Sequence, residues 1–190
     1  GIFNRINGTI EFYHKKTSDL LWTYPVPQPP YQVGTMLANV GDLVNKGIEV
    51  SLSANILRQK DLTLDANVTF AYNDQEITKL SNDAYQAVGL QAGSLHGLRG
   101  MSGMYSQIIK EGYPSGAFYG PKCSGIDSDG NYIINRDEDG KPINEYLGSA
   151  QPKFNLGFGM NLTYRDFDFS FAGYGMFGQK VLNATRMAMF

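Results

Sequence analysis

The chain has 190 residues, enough for one domain with a sizeable core or for part of something larger. A net charge of -2 lacks the basic footprint of a nucleic-acid binder, and the lone Cys123 excludes an internal disulfide framework and any multi-cysteine metal site. With 12 Tyr, 11 Phe and 22 Gly the composition favours strands and turns over helix. No run of about 18 apolar residues is present, so no transmembrane helix is expected. Strands that cross a bilayer leave a weaker, alternating signal, and composition does not exclude them.

Gly1 opens directly in a strand-like stretch, without a signal-peptide pattern. In residues 6–16, Ile6, Gly8, Ile10 and Phe12 share one face, and Asn7, Thr9, Glu11 and Tyr13 the other, which predicts a strand. Residues 17–45 begin with TSDLLWTYPVPQPPYQVG, whose prolines remove ladder donors and favour extended geometry. They predict a long exposed loop that displays Trp22, Tyr24 and Tyr31. The clearest hairpin follows: Ile48, Val50, Leu52, Ala54 and Ile56 alternate with polar residues, then Leu62, Leu64, Ala66, Val68, Phe70 and Tyr72 do the same after a charged turn at Gln59-Lys60-Asp61. From Asp74 to about Met104 the pattern dissolves into a long loop, with a short helix expected near 83–88. Short strands are expected at 105–110 and 132–135, a tight turn at Asp129-Gly130 and a polar loop over 136–152. The final third repeats the hairpin design, with Phe154 to Tyr164 and Phe167 to Phe171 alternating around an Arg165-Asp166 turn.

The best strands have the 9–11 residues that a tilted bilayer crossing needs. Tight connections at 58–61 and 165–166 contrast with long ones elsewhere, the asymmetry of an outer-membrane barrel. Tyr13, Tyr72, Phe154, Tyr164 and Phe167 sit near strand ends, where aromatic girdles lie, and the apolar faces of the clearest strands carry no charge. The predicted fold is all-β: antiparallel up-and-down strands forming part of a large transmembrane barrel, with long loops. A soluble β-sandwich, perhaps binding glycans, has the same alternation with its apolar face turned inward, and periodicity alone leaves both open.

Three blocks then carry a resemblance: N-x-G-x-x-x-N-K-G-I-E at Asn39–Glu49, G-x-F-Y-G at Gly116–Gly120, and L-G-S-A-x-P-K-F at Leu147–Phe154. In this order, and with similarity over nearly the whole chain, they resemble the SusC/RagA-type TonB-dependent outer-membrane transporters of Bacteroidetes. The resemblance implies a barrel of the 22-strand class around an N-terminal plug, coupling to TonB through regions not among these residues, a SusD-like lipoprotein on the outer face, and uptake of oligosaccharides or peptides in contact with outer-membrane lipid. Residues 1–190 are then expected to be a piece of the C-terminal half of the barrel, with no plug, no cofactor and no enzymatic role. The stretch Arg136-Asp137-Glu138-Asp139-Gly140 departs from the richer Asp-Asn-Gly-Asp-Gly pattern usual in the family.

Each candidate site has a plainer reading. Asp127-Ser128-Asp129-Gly130-Asn131 opens like a calcium loop with Glu138 twelfth, but Tyr132 stands where such a loop needs glycine, so a hydrogen-bonded turn is expected. Trp22, Tyr24 and Tyr31 are the candidate substrate or partner contacts, since ring faces pack on sugar C–H groups and hydroxyls bond polar neighbours. His14 and His96 are far apart with no nucleophile beside them, and Glu49 and Asp65 are explained as solvated strand-face carboxylates.

Overall fold

The computed structural model describes residues 5–26, 28–81 and 87–189, so the helix expected near 83–88 falls largely outside the described residues. In chain order the strands are β1 (Ile6–Pro25), β2 (Thr35–Arg58), β3 (Leu62–Lys79), β4 (Leu90–Ser94), β5 (Tyr105–Ile109), β6 (Ala117–Pro121), β7 (Cys123–Ile126), β8 (Tyr132–Ile134), β9 (Asn144–Ser149), β10 (Phe154–Tyr164) and β11 (Phe167–Phe177), followed by the short helix α1 (Ala184–Met189). One sheet has the order β1-β2-β3-β10-β11, a second β4-β5-β6-β9, and β7 and β8 form a separate pair. The chain divides into two compact units.

The first unit takes in the chain up to Lys16, Asn45–Asp74 and Pro152–Gly178. Here the two predicted hairpins are neighbours, because β10 pairs antiparallel with β3 on one side and β11 on the other. Arg165 N–H donates to the Asp61 carbonyl at 2.9 Å, so the two tight turns lie together. In the register, Tyr72, Val68 and Leu64 stand opposite Phe154, Phe158 and Leu162. These stand in turn opposite Phe177, Gly173 and Phe169. Since a one-residue slip would mix the faces, this pairing joins the separate apolar stripes into one surface.

Among the described residues no second layer covers that surface. Large apolar side chains from all five strands stay exposed, from Phe154 at 37% to Phe12 at 78%, and no described residue of this unit is among the buried hydrophobic ones. The β-sandwich reading is therefore corrected, because a sandwich buries this face against a second sheet.

The second unit comprises Thr17–Val44, Gln75–Gln151 and the residues after Gly178. It holds the buried core: Tyr24, Val40, Ile77, Leu80 and Ala117. Three expected loops shorten here. β1 runs on to Pro25 and β2 begins at Thr35, so the loop predicted over 17–45 shrinks to 26–34. The prolines masked a second alternation, in which Leu20, Trp22 and Tyr24 turn inward between exposed neighbours. Asp19, with φ at 59°, precedes that stretch and marks a change of phase, since the less exposed positions before it are Tyr13 and Thr17; Asp tolerates this left-handed conformation better than most residues.

β3 likewise continues through Lys79 and gains backbone partners: Ile77 N–H donates to the Tyr113 carbonyl and Gly112 N–H to the Ile77 carbonyl, each at 2.9 Å. β4 lies inside the loop expected over 74–104, and β9 inside the one expected over 136–152. Ala184–Met189 forms α1, where Asn183 Oδ1 accepts the Arg186 N–H at 2.9 Å as a helix cap.

Candidate functional site

The first unit presents two chemically opposite faces, and its function lies in that contrast. Along β10, β11 and the Leu62–Tyr72 part of β3 that pairs with β10, the apolar face carries no charged residue. Tyr72, Phe154 and Phe177 form a row across one end, and Tyr164 pairs with Phe167 at the other. The Phe154 ring lies 5.0 Å from Phe177 and 6.0 Å from Phe70, centroid to centroid. Ten residue steps separate Phe154 from Tyr164, about 34 Å along a strand. A barrel-like tilt of about 40° would project this onto about 26 Å, close to the apolar band of an outer-membrane barrel. Charges gather beyond the band: Lys46 Nζ pairs with Asp74 at 3.2 Å, and the Arg165 guanidinium lies 5.3 Å from the Tyr164 ring.

Tyr13 departs from its expected place in a girdle. It shares the polar face, where its hydroxyl donates to Asn73 Oδ1 at 3.0 Å. A Cβ on Gly47 would run first into the Tyr72 backbone carbonyl, which cannot move aside, and then into Tyr13 Oη at 2.5 Å. That close approach explains why the N-K-G-I-E run needs its glycine.

The polar face is rich in amides and hydroxyls. One depression of about 270 Å³ is lined by Thr9, Glu11, Glu49, Thr69, Asn155 and Tyr174 among others. A second, of about 370 Å³, includes Arg5, Asn7, Asn55, Asp65, Asn67 and Asn161. Several side chains satisfy one another there: the Asn55 amide donates to Asp65, and Thr163 Oγ1 to Asp168 Oδ1 at 2.7 Å. Glu49 and Asp65 line different depressions of this face, as the strand-face carboxylates expected from the sequence.

The three predicted contact aromatics are separated by burial. Tyr24 is 1% exposed, and its hydroxyl donates to the Leu80 carbonyl at 2.6 Å. The Leu80 N–H is held by Glu111 Oε1 at 2.5 Å, so one backbone unit is clamped from both sides. Tyr24 in an exposed loop is therefore a correction: it is a strand residue whose ring fills the second unit's core. Trp22 is half-buried on the same strand, and Tyr31 is exposed.

The Asp127 turn is closed by its own carboxylate. Oδ1 accepts the N–H groups of Asn131 at 2.8 Å and Asp129 at 2.9 Å. The Asn131 backbone N–H, foremost, holds the Asp127 carboxyl below its usual range; slight desolvation opposes it, and further hydrogen bonds from Asn131, Asp129 and Gly130 add to it. Asp137 repeats the arrangement ten residues on, accepting from Asp139 at 3.1 Å and Lys141 at 2.8 Å. This twin Asp-x-Asp-Gly-x hairpin was missed in reading the sequence, although its spacing was there to be seen. Among the described residues no group of three or more His, Cys, Asp or Glu is arranged to hold a metal ion. His96 serves its own loop, where Nδ1 accepts the Gly103 N–H at 3.2 Å. Around β9, burial foremost and then neighbouring Tyr113 raise the Tyr146 phenol above its ordinary value.

Comparison with known proteins agrees with this geometry. Residues 2–186 match the family described as TonB dependent receptor-like, beta-barrel. The chain is 27% identical, over 98% of its length, to TonB-dependent receptor P3 of Formosa agariphila, of which it covers 20%. It is 31% identical, over 88% of its length, to TonB-dependent receptor SusC of Bacteroides thetaiotaomicron, of which it covers 17%. Among solved structures, the RagAB peptide importer in its open-open state matches 94% of this chain and 19% of its own, with a TM-score of 0.72 at 24% identity, a likeness of fold. The chain thus spans about a fifth of the length of these relatives. Its two-faced sheet, charge-free band and family match place it in the TonB-dependent receptor β-barrel family, as part of the wall of an outer-membrane barrel.

Proposed function

We propose that the protein containing this chain is a TonB-dependent importer of oligosaccharides or peptides that works with a SusD-like surface lipoprotein, and that residues 1–190 supply barrel wall without a plug. The observation that carries the reading is the two-faced sheet: an apolar band bounded by aromatic rows on one side and an amide- and hydroxyl-rich surface on the other. The first face suits lipid; the second suits a hydrated lumen through which polar solutes pass. The importer reading is supported by likeness to TonB-dependent receptor SusC and, in fold, to a structure described as a peptide importer, while the oligosaccharide class and the lipoprotein partner rest on the sequence resemblance. Within this reading Tyr31 and the open part of Trp22 are the aromatics offered to partner or substrate, while Tyr24 holds the strand beneath them. The chain takes no catalytic step and needs no cofactor in this scheme.

Single cysteines placed in the intact protein test the faces. A label at Val68 is expected to be quenched by lipid-borne quenchers and to resist a water-soluble maleimide, with the reverse at Asn67. Equal water access at both positions contradicts a lipid-facing band. Uptake of labelled oligosaccharides and peptides by cells with and without the gene, and co-purification of a surface lipoprotein, test the import reading.

A further inference from the structure

The second unit contains a groove that the wall function does not use. It has a volume of about 890 Å³ and is lined by Met101, Met104, Phe118, Tyr119, Leu147 and Met187 among others. Such a volume lies within the range of small-molecule and short-peptide sites. Among the described residues its lining includes no carboxylate, and Lys180 is the one formally charged residue there. The Lys180 stem runs over Gly148, where an added Cβ would meet Lys180 Cγ at 2.6 Å. Gly148 has φ at 121°, a conformation that favours glycine. The Lys180 backbone N–H donates to the Ser149 carbonyl at 2.7 Å, which anchors the residue at the groove. Its ammonium makes no ion pair among the described residues.

From this we infer that the groove binds a short apolar peptide bearing a carboxylate, with side chains against the methionines and aromatic rings and the carboxylate at Lys180. The inference rests on the importer reading and narrows its substrate class. Thioether and ring surfaces adapt to varied apolar side chains, and one unpaired cation complements one anion. An oligosaccharide presents hydroxyls all round and needs a dense set of donors and acceptors. The polar side chains of this lining besides the tyrosines and Lys180 are Gln91, Ser106 and Asn144.

The test uses the full-length protein in detergent and three probes: acetyl-Leu-Met-Phe with a free carboxylate, the same peptide as its C-terminal amide, and maltoheptaose. Calorimetry is expected to show the acid binding about tenfold more tightly than the amide, as a charge-assisted hydrogen bond implies. Lys180→Gln removes that preference without weakening the amide, and Lys180→Arg keeps it. Met104→Gln weakens both peptides alike, which separates the apolar contact from the charge. Equal binding of acid and amide to the wild type overturns the proposal. So does displacement of the peptide by maltoheptaose, or a Tyr119→Cys thiol that stays unreactive because another part of the polypeptide fills the groove. Whole-cell uptake is followed in parallel. Persisting uptake with acid and amide bound alike overturns this groove alone, whereas absence of uptake of any oligosaccharide or peptide overturns the importer reading itself.

Discussion

Tyr24 is an amphipathic ring placed where one backbone carbonyl would otherwise lose water without compensation. Leu80 is 2% exposed, and its carbonyl receives the Tyr24 hydroxyl. Tyr24→Phe keeps the ring and removes the donor, leaving a buried acceptor unpaired at a cost of about 1–3 kcal/mol. Amide hydrogen exchange across residues 75–81 is expected to speed up about tenfold or more, with the β10–β11 hairpin unchanged. A second residue-scale prediction concerns Asp127, whose depressed pKa means that the folded turn prefers the carboxylate. Its contribution is present above the unfolded value of about 3.9 and is lost as pH falls through the lower folded value. Amide NMR shifts of Asp129 and Asn131 should therefore titrate together below the ordinary aspartate range, and Asp127→Ala should abolish that step. The Asp-Gly turn was legible in the sequence because the side chain bonds within five residues. Burial of Tyr24 was not, because its partner is 56 positions away.

Strands β10 and β11 show how one element serves two solvents. On the apolar face Gly173 leaves room for the Phe158 ring, which a Cβ would meet at 2.5 Å. Gly173→Val is expected to destabilise the hairpin by about 1–3 kcal/mol through overpacking, read as an earlier midpoint in guanidinium unfolding from lipid vesicles. Charge separates the faces more sharply. Val68 lies near the middle of the band, so Val68→Arg should cost about 2–4 kcal/mol in the same assay, as at a bilayer midplane. Asn67→Arg, one residue away on the polar face, should change the midpoint little. The period-two alternation made these assignments readable for 48–56, 62–72 and 154–164. It failed for 17–25 because the prolines drew attention to loop chemistry, while Asp19 shifts the inward phase by one residue.

At the scale of the whole molecule, the five-stranded sheet has β1 and β11 at its edges, with no further strand paired to them among the described residues. An open edge beside an exposed apolar face invites pairing with any available strand. Residues 1–190 produced by themselves are therefore expected to elute as large aggregates in detergent-free buffer, and size-exclusion chromatography with light scattering checks this. A stable monomer under those conditions would contradict the lipid-facing assignment. The second unit differs in kind, since its buried residues make a small core of their own.

The sequence by itself determined the strand chemistry, because side chains alternate across a pleated strand whatever the strand pairs with. It also carried the family, through Asn39–Glu49, Gly116–Gly120 and Leu147–Phe154. Periodicity left open whether the apolar stripe meets protein or lipid, since both solvents select the same residues. Only tertiary structure decided that. The register of β3, β10 and β11 joins separate stripes into one face, and among the described residues no second layer covers it. It also decided the burial of Tyr24 and the place of Lys180 at an apolar groove, because both depend on residues that meet across long separations in the chain.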